Sequence, residues 1–249
     1  MTGTTLLFDI GNSRVKWAWL EGARLHSHGS AAREQFDIRA VAGPSSPPSR
    51  IVASNVAAQT FAERFIDAIK KRWGVAAEFI SADAQGYGVS NAYREPRKLG
   101  ADRWAALIGA RSLHSGACCI VDCGTAVTVD VLAQDGRHLG GVIMPGLDLM
   151  RRALLETAQV TYAPGAHEAA QLTPFAHDTQ EAVTHGTLYA VIAGIERTVA
   201  ESASTGTGGM IHLISGGDAL RLLPLLGAGY RHEPHLVLQG LAIIARGTG

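Results

Sequence analysis

The chain has 249 residues, 47% of them hydrophobic, with Lys plus Arg equal to Asp plus Glu at 22 each. That length accommodates one large domain or two of about 120 residues each, in either case with room for a real core. The even charge balance gives no net field favouring nucleic acid or an anionic membrane over a small ligand, and no run nears the ~18 uncharged apolar residues of a membrane span.

The first residues, MTGTTLLFDIGN, lack a basic segment followed by a long apolar core, so a cytoplasmic protein is expected. Leu6, Leu7 and Phe8 then read as a buried strand that ends abruptly in Asp9, Gly11, Asn12 and Ser13. Val15, Trp17 and Trp19 alternate with Arg14, Lys16 and Ala18 in the strand that follows. An ordinary hairpin accounts for this strand, turn and strand, because Asn, Gly and Ser are favoured where the backbone turns tightly. A functional reading accounts for it too. The glycine admits an anion to the main chain, Asn12 and Ser13 donate to it, and Lys16 adds charge. Asp9 repels a phosphate unless magnesium lies between them.

Strands are expected at about 4–9, 14–20 and 23–28, followed by the loop GPSSPPSR and a strand around RIVASNV. In AAQTFAERFIDAIKKRW, Phe61, Phe65, Ile66, Ile69 and Trp73 share one helical face, and AAEFISA gives another short strand. The combination is an α/β half whose sheet mixes antiparallel hairpins with a crossover. Next comes NAYREPRKLGADRWAALIGAR, with Tyr93, the basic residues Arg94, Arg97 and Lys98, and a turn at Gly100. A helix follows whose apolar face holds Trp104, Leu107 and Ile108. Asp102 at its start is either a cap or dipole partner, worth roughly 0.5–2 kcal/mol, or a carboxylate that orients a substrate hydroxyl. Arg103 is either a solvated surface charge or the group that holds a substrate carboxylate.

The second half opens with CCIVDCGTAVTVDVL, where an apolar run again enters Asp-x-Gly at Asp122 and Gly124 and leaves in period two through Val127, Val129 and Val131. The recurrence suggests duplication, with two halves at residues 1–114 and 115–249 each offering a turn to the same cleft. Strands near 117–122, 126–132 and 137–143 precede helices near 147–158 and 179–202. In MIHLISGGDALRLLPLL a strand meets Gly216 and Gly217, and a helix opens close to Asp218. That turn is either a plain strand-to-helix connection or a seat for a phosphate or the sugar side of a nucleotide. A last helix at about 235–246 reads as core packing. Cys118, Cys119 and Cys123 have no Cys-x-x-Cys spacing and read as reduced, packed thiols. The histidines of HSH at 26–28 and HEPH at 232–235 lack ligand spacing and read as surface or structural residues.

No P-loop and no Gly-x-Gly-x-x-Gly after a strand occurs. Two Asp-x-Gly turns plus SGGDA resemble the actin-like superfamily of sugar kinases and heat-shock ATPases. The resemblance implies α/β architecture with two duplicated actin-like (ribonuclease H-like) halves, each a mixed sheet flanked by helices, and an ATP cleft between them. DIGNSRVK, GADRWAAL, DCGTAVTVD, GGVIMPGLDLM, DTQEAVTHG and SGGDA, in this order and spacing, resemble the type III pantothenate kinases from end to end of the chain.

The resemblance implies transfer of the γ-phosphoryl of ATP to the primary hydroxyl of pantothenate, the first step of coenzyme A biosynthesis. It implies that Asp9, Ile10, Gly11, Asn12, Ser13, Arg14, Val15 and Lys16 form the first phosphate hairpin, with Asp9 close to Mg2+, and that Thr125 contacts ATP in the second. It places Asp122 at a K+ or NH4+ site and Tyr93, Gly100, Ala101, Asp102 and Arg103 around pantothenate, with Asp102 catalytic. Thr179 resembles a further substrate contact that reaches the pocket of a partner subunit, because the family is dimeric. An unperturbed Asp has a pKa of about 3.9, so the expected task of Asp102 is to orient the hydroxyl and accept its proton late. The rival readings are a kinase for another small hydroxylated substrate and a non-catalytic nucleotide-binding accessory factor in transcriptional regulation. Neither nucleic acid nor membrane is expected as a partner.

Overall fold

The computed structural model describes residues 3–158, 172–203 and 209–247. The chain opens with an antiparallel meander of β1 (Thr5–Ile10), β2 (Arg14–Glu21) and β3 (Arg24–Ala32), followed by two 3-10 turns. It returns in β4 (Arg50–Asn55), parallel to β1, and continues through α1 (Gln59–Trp73) to β5 (Ala77–Phe79), parallel to β4. A small hairpin, β6 (Gln85–Gly86) and β7 (Val89–Ser90), leads to α2 (Ala101–Leu113). The second half runs through β8 (Cys118–Cys123), β9 (Ala126–Leu132), β10 (His138–Pro145), α3 (Leu147–Ala158) and α4 (Thr179–Ala203). It ends with β11 (Ile211–Ser215), α5 (Ala219–Leu222), β12 (Tyr230–His232) and α6 (Leu236–Arg246).

The two five-stranded sheets have the same strand order, β3-β2-β1-β4-β5 and β10-β9-β8-β11-β12. In each, the strand that enters an Asp-x-Gly turn lies at the centre. The duplication read from two short turns is therefore a duplication of sheet topology. By their internal contacts the residues fall into two compact units. One comprises Met1–Cys118, Leu132–Gly140 and His235–Gly249; the other comprises Cys119–Val131 and Gly141–Pro234.

In the first unit, Leu6, Phe8 and Ile10 of β1 project with Val15, Trp17 and Trp19 into one apolar cluster with Phe65 and Ile69 of α1. Phe8 and Phe65 meet edge to face at 4.9 Å, a favoured aromatic geometry. Ile66 departs from the expected apolar face and is 39% exposed, because the buried seam of α1 is the i, i+4 pair Phe65 and Ile69 and Ile66 lies a further 100° round. On the other side of the sheet, α6 lies against β1, β2 and β4 and crosses α2. The crossing depends on missing side chains: a Cβ at Gly240 would overlap the Ala105 carbonyl, and one at Gly109 would overlap that of Leu236. The second unit is built on Cys119, Val121, Val127 and Val129 packed with Leu188, Val191, Ile192 and Ile195 of α4.

β3 outruns its expected end near 28 because it stays paired with β2 as far as Arg14 and Ala32, across a bulge at Ser27 and His28. The helix expected after Asp218 is a single turn, since Pro224 diverts the chain into a 3-10 segment at Leu223–Leu225. The cysteines are free and buried as expected, and burial pushes the Cys118 thiol up to about 11 and that of Cys123 further. Among the described residues no helix is long and apolar enough to cross a membrane.

Candidate active site

The first Asp-x-Gly turn joins β1, the central strand of its sheet, to β2 beside it. Gly11 N donates to Arg14 O at 2.9 Å, closing the turn, and Arg33 N donates to Ser13 O at 2.8 Å, bracing it from β3's far end. Asn12, Ser13 and Arg14 are exposed at the tip, while Ile10 and Val15 pair across the hairpin with side chains in the core and backbones in the sheet, Ile10 O also accepting from Val56 N at 3.0 Å. Arg14 is turned sideways, its guanidinium donating twice to Ser30 Oγ at 2.9 and 2.7 Å. Asp9 is only 8% exposed and stands in register between Lys16 of β2 and Ser54 of β4. Ser54 Oγ donates to Asp9 Oδ1 at 2.9 Å. A buried carboxylate is costly unless hydrogen-bonded, so Ser54 is part of what keeps Asp9 at the end of an apolar strand. The signal for Ser54 was its place at the end of the apolar run of RIVASN, but only strand register pairs it with Asp9.

The second turn has a similar core bond, Gly124 N to Ala126 O at 3.0 Å, but a different setting. Two glycine-containing segments press on it. Gly146 N, just before α3, donates to Thr125 O at 3.0 Å, and Asp218 N donates to Cys123 O at 2.9 Å. Gly216 has φ +99, and a Cβ there would overlap the Cys123 carbonyl and lie 2.5 Å from Asp122 Oδ1. The SGGDA turn is thus packed directly on the DCGT turn, with Asp122 and Thr125 half-buried at the junction.

The third group gathers at the start of α2. Gly100, not Asp102, occupies the N-cap position, and Trp104 N donates to Gly100 O at 2.9 Å. Asp102 lies in the first turn, where the helix dipole favours an anion, and its Oδ1 accepts from Arg103 N at 2.7 Å. Ala101 is buried beside it. Arg103 is not a solvated surface charge. It is 6% exposed, and its Nη1 donates to Tyr93 Oη at 2.7 Å with the guanidinium carbon 5.5 Å from the tyrosine ring centre. Buried guanidinium groups need partners, and Tyr93 is one. Tyr93 is itself pinned: its N donates to Asn91 Oδ1 at 3.0 Å, and its ring stacks with His138 at 6.3 Å between centres and 16° between planes. Sequence reasoning missed Asn91 and His138, the latter because it arrives from a distant strand.

Thr179 belongs to the second unit, exposed at the first position of α4. A capping arrangement fixes this helix start: Glu181 N donates to Asp178 Oδ1 at 2.8 Å, and Glu181 Oε2 accepts from His177 N at 2.9 Å. Thr179 lines an open groove of about 1110 Å³ between α3 and α4 with Pro145, Leu149, Met150, Leu154 and Val183.

The sequence model of the family described as type III pantothenate kinase matches residues 5–201. A type III pantothenate kinase of Nitrosococcus oceani is 42% identical, the match covering 98% of this chain and 94% of that one. Among solved structures, a Baf family transcriptional activator from Campylobacter jejuni superposes with a TM-score of 0.61 at 20% identity, covering 98% of this chain and 100% of the other. A 2-dehydro-3-deoxygalactonokinase protein from Sinorhizobium meliloti gives 0.56 at 15% identity, covering 98% and 99%. These two likenesses establish the fold, a pair of duplicated actin-like halves. With the family match spanning most of the sequence and a curated relative matching nearly all of it, the chain belongs to the type III pantothenate kinase family.

Proposed function

We propose that the chain transfers the γ-phosphoryl of ATP to the primary hydroxyl of pantothenate, yielding 4′-phosphopantothenate for coenzyme A biosynthesis. Beyond family membership, the observation that carries this reading is the buried Arg103 held by Tyr93 next to Asp102. A fixed guanidinium is suited to a carboxylate, and a carboxylate one residue away is suited to a hydroxyl. Pantothenate carries both groups.

In this reading the turn from Asp9 to Lys16 and the turn bearing Thr125 hold ATP. The exposed Asn12 and Ser13 at the tip of the first turn offer hydrogen bonds to phosphate oxygens, and Lys16 offers charge. Gly100, Ala101, Asp102, Arg103 and Tyr93 line the acceptor pocket. Arg103 takes the acceptor's carboxylate, and Asp102 aligns its hydroxyl and accepts the proton late. Phosphoryl transfer passes through a loose transition state, so alignment and charge neutralisation outweigh base strength.

Mg2+ suits Asp9, since such sites use one or two carboxylates and complete their shell with phosphate oxygens and water. Asp9, fixed by the Ser54 hydroxyl, meets that demand. When bound, Mg2+ neutralises phosphate charge. A monovalent cation, K+ or NH4+, suits Asp122, a carboxylate among the main-chain carbonyls of a tight turn. We also propose a homodimer formed over the apolar groove between α3 and α4, which would bring Thr179 to the partner's acceptor pocket. Exposed Leu149 and Leu154 support this surface.

The test is to identify the product. The chain with ATP, Mg2+, K+ and pantothenate should give a phosphate monoester whose proton-coupled 31P signal is a triplet, the pattern of phosphate on a CH2–O group. A doublet would place the phosphate on the secondary hydroxyl. Retention of ATP with pantothenate, but consumption with a sugar, would favour a different small-molecule kinase.

A further inference from the structure

We infer that His138 is a positioning residue for the acceptor pocket, acting through Tyr93; the inference rests on the assignment of Tyr93 and Arg103 to that pocket. His138 opens β10 and is 3% exposed, in contrast to Leu139, Val142 and Ile143 further along the strand, which are all well exposed. Its ring lies nearly parallel to that of Tyr93.

Its position is imposed by the tip between β9 and β10, which is fastened to the elements around the acceptor residues. Ser90 N donates to Gly136 O at 2.9 Å, and Ser90 and Arg137 form an isolated parallel bridge. The backbone at Gly136 comes so close to Gly88 that a Cβ would overlap its carbonyl. From the last turn of α2, Arg111 Nη1 donates to Gln134 O at 2.9 Å. The tip is thereby held by β7 on one side and by the end of the Asp102 helix on the other. β7 in turn leads within three residues to Tyr93. Asn91 secures that link, with Nδ2 donating to the Asp83 and Pro96 carbonyls, both at 3.1 Å.

Tyr93 is consequently held at three points: its main chain by Asn91, its hydroxyl by Arg103 and its ring by His138. An aromatic ring tethered only at its backbone and hydroxyl can still pivot about the line joining them. The imidazole face opposes that pivot. The phenolic oxygen accepts in the plane of its ring, so the tilt of the ring sets the direction in which Arg103 donates, and with it the fit of the acceptor's carboxylate. His138 touches neither substrate nor reacting atoms in this scheme, so its loss should weaken acceptor binding and spare ATP binding.

Steady-state kinetics of His138→Ala, His138→Phe, Tyr93→Ala and the His138→Ala/Tyr93→Ala double variant test this, alongside thermal melts. Ring–ring contacts are worth about 0.5–1.5 kcal/mol, so His138→Ala should raise the pantothenate KM about two- to tenfold, with ATP KM unchanged and kcat altered less. His138→Phe, which restores a flat face, should recover most of the loss. In the Tyr93→Ala background His138→Ala should add no further KM effect. Equal changes in both KM values with a lowered melting temperature, or full additivity with Tyr93→Ala, would overturn the inference. So would an unchanged pantothenate KM in His138→Ala while the unaltered chain turns over pantothenate normally. No pantothenate turnover by the unaltered chain would instead remove the functional reading, and this assignment with it.

Discussion

The two Asp-x-Gly turns share a sequence pattern and a sheet position but not a neighbourhood. The first stands clear at its tip, its polar residues exposed, and its aspartate accepts from the side chain of Ser54 on a parallel strand. The second is backed by main chain, with Gly146 bonded to Thr125 and Gly216 pressed on Asp122 and Cys123. In the first turn a side-chain hydroxyl bonds the aspartate; in the second, a glycine lets main chain close on it. Duplication preserved the strand order and the turn, and the two copies diverged in what supports them.

The contrast can be broken or sharpened by substitution, and the acceptor site sets the upper end of the scale. Asp102→Asn should fold normally yet lose about 10²–10⁴ in kcat, the range for removing a positioned acid-base group, as read by ADP release with melting temperature as control. Gly216→Ala combines a left-handed backbone with a carbonyl overlap and should cost about 2–4 kcal/mol in urea unfolding, together with weaker ATP binding. Ser54→Ala leaves buried Asp9 short of one donor and should cost about 1–3 kcal/mol, measured in the same way. Gly11→Ala should cost less than about 1 kcal/mol, because its Cβ meets only Arg14 O at 3.2 Å and no left-handed φ is needed. Equal costs at Gly11 and Gly216 would erase the distinction between the turns.

The smallest effect at neutral pH concerns the strand leading into the second turn. Burial raises the Cys118 thiol from 9.0 to about 11, so the folded state favours the protonated form. Its contribution is complete below pH 9 and is lost as pH climbs from there through about 11. The thiol should therefore resist alkylation at pH 8 until the protein unfolds, and stability should decline on the alkaline side.

Much of this was legible in the sequence because it is local. An apolar run ending in Asp-x-Gly announces a strand and its turn, and Trp104, Leu107 and Ile108 mark a helix face that the structure buries. What remained hidden depends on register and packing across the chain. Ser54 reaches Asp9 only because β1 and β4 pair in parallel. The histidines of two separate short motifs, His28 and His235, stack at 4.2 Å, which neither motif foretells. Arg103 could be either a surface charge or a buried one until Tyr93 was found over it. The helix at the C-terminal end reads as core, but its target, α2, is set by the glycines at their crossing.

The most direct measurement is ADP release by the unaltered chain with ATP, Mg2+ and K+, comparing pantothenate with no acceptor and with a panel of sugars. The expected result is release that depends on pantothenate and is lost in Asp102→Asn. Release that is independent of pantothenate, or absent with every acceptor despite demonstrable ATP binding, would contradict the assignment of this site to pantothenate phosphorylation.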